Sequence, residues 1–170
     1  MGSRDSTSLG IDDNRLIHSR EVGRLAARLA SDVFGWNKTR CQQMFLLGLV
    51  HDCGYGFVDD PLDHPIAGSA VLKEAGYSYW REVRWHGMPC APYYSDELLV
   101  LNIADMLVSK GGERIPLSQR LDDIGRRYGL DSEQLVQAKR LACEIDCSLK
   151  LRRIDLGELQ KLWDFRDACI

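Results

Sequence analysis

The sequence predicts an all-α fold, on three observations. Apolar residues recur at helical spacing in one segment after another. No segment shows the strict apolar/polar alternation of a half-buried strand. Capping residues and Gly/Pro breaks divide the chain into pieces of helix length. The 170 residues suit one domain with a real core, read here as residues 12–170 behind a polar leader at 1–11.

The first helix is expected from Asp12-Asp13-Asn14, which offers caps and acids, to about Val33. His18, Val22, Leu25, Leu29 and Val33 form its apolar stripe, so His18 should be buried, while Arg15, Arg20, Arg24 and Arg28 mostly lie off that stripe. Phe34-Gly35-Trp36-Asn37 interrupts the pattern. A second helix is read from about Thr39, with Met44, Gly48, His51 and Asp52 on one face. Glycine inside a helix costs about 1 kcal/mol relative to alanine, so Gly48 suggests close approach by another helix.

Residues 53–63 read as a Gly/Asp/Pro loop. A helix follows from His64-Pro65, with proline suited to the first turn, and ends at Gly76. A short helix is expected from Ser78 to His86, and a loop over 87–94. Ser95-Asp96-Glu97 is a capped start with acids at the positive helix end. Its stripe, Leu98, Leu101, Asn102, Asp105 and Val108, places a carboxylate among core positions. Three further helices are expected at about 117–128, 132–150 and 155–168. The C-terminal helices are thus placed at about 113–168.

Composition excludes more than it assigns. A net charge of −3 gives no reason to expect nucleic-acid or membrane-surface binding. No apolar run is long enough for a membrane span, and the polar first dozen residues do not resemble a signal peptide. The expectation is a cytoplasmic protein. None of the six cysteines forms a C-x-x-C pair, so free thiols are expected, with Cys143 and Cys147 as small buried residues.

The chemistry gathers on the histidines. Leu46-Leu47-Gly48-Leu49-Val50 is an apolar run ending in His51-Asp52, and two buried polar side chains there are costly unless satisfied. His18, His64, His86 and Asp105 also sit on or at the ends of helices. Singly, each has an ordinary use: a core histidine bonded to a carbonyl, a cap, a dipole partner. Together they would need several separate partners, whereas one metal centre satisfies them all. Imidazole with carboxylate suits Zn, Fe, Mn, Co or Ni.

The order His18, His51-Asp52, Asp105 resembles the HD-domain superfamily of metal-dependent phosphohydrolases. Leu49-Val50-His51-Asp52-Cys53-Gly54-Tyr55 is similar to its apolar-HD-x-G segment, and His64-Pro65-Ile66-Ala67-Gly68-Ser69-Ala70 to its H-x-x-x-G-A segment. Trp85-His86-Gly87 falls where many members carry a further histidine, and Asn102-Ile103-Ala104-Asp105 resembles the closing A-D segment. The match covers about residues 15–110, which the resemblance implies is the metal-site core, and residues 113–129 look like the tail of small bacterial stand-alone members.

The resemblance implies a helical bundle in which His18, His51, Asp52 and Asp105 hold one divalent transition-metal ion. Asp52 would bridge to a second ion on His64 and His86. It implies catalytic roles for Asp52, His64 and His86 in the attack of a metal-activated water on a small phosphate substrate, such as a nucleotide. Tyr55, Lys110 and Arg114 are the expected substrate contacts, and a homodimer is compatible with it. Two positions depart from the pattern: Tyr55 stands where many members have lysine, and Gly87 where some have a second histidine. Both affect the substrate more than the metal site. Two other classes stay open, a di-iron oxygenase on the same ligand set and a non-catalytic metal-binding sensor domain. Trp80, Trp85 and Tyr93-Tyr94 could line a base-stacking pocket, although core packing is the commoner use of such residues.

Overall fold

The computed structural model describes residues 11–161. Eight α-helices occupy them: α1 (Asp13–Asp32), α2 (Lys38–Val50), α3 (His64–Glu74), α4 (Trp80–Trp85), α5 (Asp96–Met106), α6 (Leu117–Tyr128), α7 (Glu133–Leu151) and α8 (Leu156–Lys161). Among the described residues there is no strand, only an isolated bridge between Val108 and Arg114. The fold is all-α. Residues 1–10 of the expected leader at 1–11 and the expected extension of the last helix to 168 lie outside the described residues.

Local chemistry sets the helix starts. Asp12 accepts from the Arg15 N–H, Asn37 from that of Arg40, Ser95 from that of Leu98 and Ser132 from that of Leu135. The second helix therefore begins just before Thr39, because Asn37 is the side chain that caps it. The expected loop at 53–63 contains two short 3₁₀ turns, Cys53–Phe57 and Pro61–Asp63, the second capped by Asp60. The short fourth helix starts at Trp80 rather than Ser78, and α5 stops at Met106, earlier than its stripe suggested.

One continuous apolar cluster runs through the bundle. It includes Val22, Leu25 and Leu29 of α1, Met44 and Leu47 of α2, Val83 of α4, Leu101 and Ile103 of α5, Leu141 and Leu149 of α7, and Leu159 of α8. The α1–α2 contact is the most extensive in the bundle. A glycine crossing makes it close: a Cβ on Gly48 would lie 2.5 Å from the Gly23 Cα. The helical cost of Gly48 is thus offset by contact that no larger residue allows. Cys143 and Cys147 are exposed rather than buried, because the inward stripe of α7 is Leu141, Ala142, Ile145 and Leu149. The five cysteines among the described residues are free.

Candidate metal centre

Four helix ends and one helix middle converge on a buried polar cluster. His18 comes from the inner stripe of α1, and His51 and Asp52 from the C-terminal end of α2. His64 opens α3, His86 follows α4, and Asp105 stands near the end of α5. His51 is fully buried, and His18, Asp52 and His86 are at most 5% exposed. A second glycine contact brings α3 in: a Cβ on Gly54 would lie 1.8 Å from the His64 carbonyl oxygen and 2.7 Å from the Gly68 nitrogen. The glycines of the two sequence motifs therefore pack on each other, which holds His64 beside Asp52.

All four imidazoles are oriented the same way. Each Nδ1 lies on a backbone carbonyl: His18 on Ser109 at 2.9 Å, His51 on Gly48 at 2.7 Å, His64 on Pro61 at 2.6 Å and His86 on Val83 at 2.6 Å. A carbonyl only accepts, so each Nδ1 carries the hydrogen and each Nε2 is left to face the cluster. Asp52 Oδ1 then lies 3.4 Å from His51 Nε2, 3.3 Å from His64 Nε2 and 3.6 Å from His86 Nε2. Asp105 Oδ1 lies 3.1 Å from His18 Nε2 and 3.9 Å from His51 Nε2.

This arrangement fits a cation. His51 Nε2 is buried with no hydrogen-bond partner. His64 Nε2 and His86 Nε2 stand 3.1 Å apart, and when both rings are neutral with Nδ1 protonated that brings two lone pairs face to face. Ligand atoms about 2.0–2.2 Å from one ion lie roughly 3–4 Å from each other. Two triads, His18–His51–Asp105 and His51–Asp52–His86, have donor atoms mutually within 4.8 Å and could hold a metal. His51 belongs to both.

The protonation pattern agrees. Burial holds His51 at a pKa of about 4, so it is neutral at pH 7. Burial also opposes charge on His18 and His86, but the hydrogen bonds and charges of Asp105 and Asp52 outweigh it and raise both. Asp52 and Asp105 are held below the usual carboxylate range despite burial. The imidazoles act on Asp52, His51 foremost; His18, His51 and Arg120 act on Asp105. Burial, then the charge of Asp52, pushes the Tyr55 phenol up to about 12, so it stays protonated.

Two cations at the cluster were not anticipated from the sequence. Arg15 Nη1 donates to Asp52 Oδ2 at 2.6 Å, and its guanidinium lies 3.5 Å over the Tyr55 ring, which itself stacks 3.9 Å from His64. The available signal was that Arg15 and His18 are three apart on one helix and so share a face. Arg120 of α6 reaches Asp105 Oδ1 at 3.6 Å, and its Nε is buried without a partner. Nothing local marked Arg120. Among the other expected contacts, Tyr55 stands at the cluster. Lys110 is exposed after α5, and Arg114 is half-buried beside Val108. No ion pair or side-chain hydrogen bond among the described residues joins either to the cluster.

A helical bundle with a four-histidine, two-aspartate cluster at its helix ends defines an all-α protein whose inward side chains could hold a metal. The family model of the HD domain matches residues 15–146, and the chain belongs to the HD-domain family. It is 40% identical over 52 residues to the 3'3'-cGAMP-specific phosphodiesterase 1 of Vibrio cholerae, a match covering 31% of this chain and 11% of that protein. No solved structure matches the chain. Among the described residues, no helix is long and apolar enough to cross a membrane.

Proposed function

We propose that this protein is a metal-dependent phosphohydrolase that cleaves a phosphate ester or anhydride of a nucleotide or another small phosphorylated metabolite. The observation that carries this reading is the convergence of four Nε2 atoms and two carboxylates in one buried cluster that could hold a cation. His18, His51, Asp52 and Asp105 would hold one divalent transition-metal ion, and His64 and His86 a second, with Asp52 shared. Such ions lower the pKa of water toward neutrality and neutralise charge on phosphoryl oxygens.

The residues of the chain supply the rest. Asp52 holds the histidine side of the cluster together through Oδ1 and fixes Arg15 through Oδ2. Arg15 is placed to meet a phosphoryl oxygen, with Tyr55 as the platform beneath its guanidinium. The His64 side chain, at 15% exposure, and that of Asp105, at 16%, are the most open members of the cluster. Arg120 adds positive charge beside Asp105. Support for phosphodiester substrates comes from the Vibrio cholerae phosphodiesterase, although the matched segment is about a tenth of that protein.

The test is phosphate or nucleotide release from a panel of nucleotides, cyclic dinucleotides and simple phosphate esters, with added Mn, Co or Ni. Metal-dependent hydrolysis of one substrate class is expected. A correctly folded chain that binds no metal would overturn the proposal. Oxygen uptake with Fe(II) and an organic substrate, without hydrolysis, would assign the cluster to the oxygenase class.

A further inference from the structure

A second feature lies outside the metal cluster. Between α3 and α4 is a groove of about 500 Å³. Its walls include the cations Lys73, Arg81 and Arg84 and the rings of Trp80, Trp85 and Tyr93, with no carboxylate among the lining residues. In a chain of net charge −3, this is a local reversal of sign. The cations and rings are interleaved. Lys73 Nζ and the Arg81 guanidinium each lie 4.8 Å from the Trp80 ring centre, and the Arg84 guanidinium lies 4.3 Å from that of Trp85. None of the three cations forms an ion pair among the described residues.

The groove is separate from the metal cluster. Its α3 wall is Ile66, Ser69, Ala70 and Lys73. At 3.6 residues per turn these lie roughly 140–240° around the helix from His64. Gly68, on the His64 side, packs on Gly54. One face of α3 thus serves the cluster and the other faces the groove. On α4, Glu82 and Val83 point inward and the two tryptophans and two arginines line the groove. Tyr93 is held in place because its hydroxyl donates to the buried Glu82 at 2.6 Å.

We propose that this groove binds a nucleotide. Flat rings offer a stacking surface for a base, and arginine and lysine beside them offer charge for its phosphates. The volume suits a compact small molecule. The site lies on the two helices that carry or adjoin His64 and His86, but none of its lining residues belongs to the metal cluster. It is therefore a site apart from any substrate site at the metals.

Calorimetric titration of the metal-loaded full chain tests this, with α,β-methylene-ADP as a cleavage-resistant probe and methylenediphosphonate as its ring-free comparator. Saturable binding of the nucleotide is expected, at least tenfold tighter than that of the comparator. The Lys73→Glu/Arg81→Glu double substitution and Trp80→Ala should each weaken it about tenfold or more, in line with single-base stacking. Trp80→Phe should retain it, which separates stacking from a fold defect. Asp52→Asn should leave it unchanged. Equal binding of the comparator, absence of saturable binding, or loss in Asp52→Asn with retention in the groove variants would each overturn the assignment. Groove binding is separable from the proposed hydrolysis, because no turnover is read and the groove variants, set against Asp52→Asn, distinguish binding at the groove from binding at the metals.

Discussion

His51 makes the strongest single demand on its surroundings. Its Nε2 is fully enclosed and unbonded, while its Nδ1 is committed to the Gly48 carbonyl. An unmet buried polar group costs roughly 1–3 kcal/mol, and a metal bound there would remove that cost. Asp52 is central for a different reason, since three of the four imidazoles face its Oδ1. Replacement of Asp52 by alanine is expected to abolish metal binding, measured as metal per chain by elemental analysis. His64→Ala should weaken only the second ion; equal loss of both would contradict the division into two sites. For Arg15, the ion pair with Asp52 and the Tyr55 platform lead us to expect at least a tenfold drop in kcat/KM in Arg15→Ala, about 1.4 kcal/mol. Metal content should be unchanged in that variant.

At the scale of elements, two glycine contacts hold the site. Gly48 on Gly23 sets the α1–α2 spacing and so the separation of His18 from His51. Gly48→Ala is expected to lower unfolding stability by about 1–3 kcal/mol, the usual cost of overpacking, read from the urea midpoint. Gly54→Ala puts a methyl group into the His64 carbonyl, with α3 as the part that must move. Loss of the second ion with retention of the first is the expected result, and an unchanged metal count would show that α3 is held by other contacts. Ser95 caps α5 and also donates to Glu82 at 2.8 Å. Its change to alanine should cost about 1 kcal/mol through the cap.

For the whole molecule, metal, protons and stability are linked. His18 and His86 have raised pKa values in the metal-free fold. Their contribution to stability is full below the unfolded histidine value near 6.5 and is lost as pH rises through their folded values. His51 has the opposite sign: its stabilising effect is present above about 6.5 and fades as pH falls toward 4. Above pH 6.5 His51 is neutral in both states, so His18 and His86 govern. Metal-free protein should therefore lose thermal stability as pH rises above 6.5. Metal displaces the same protons, so its affinity should rise over that range. The gap in Tm between metal-loaded and chelator-treated protein is expected to widen with pH. A gap that narrows would contradict this account of the cluster.

The all-α class was legible because amphipathic periodicity and capping are local: Asp12, Ser95 and Ser132 start their helices by bonds to residues three positions on. The positions of His18 and Asp105 on inward stripes were legible for the same reason, as was the use of Gly48 for close approach. The end of α5 was not, because Leu107 and Val108 continue the apolar pattern after the helix has stopped. The exposure of Cys143 and Cys147 depends on which face of α7 meets the core. Arg15 was partly legible, sharing a helix face with His18. Arg120 was not, since its approach to Asp105 depends on how the successive helices α5 and α6 pack. By itself the sequence determined which side chains could serve as ligands and which helices carry them. Only the tertiary structure decided which arginines stand beside the carboxylates and that the tryptophans face a basic groove away from the histidines, because charges and rings on different helices meet only through packing.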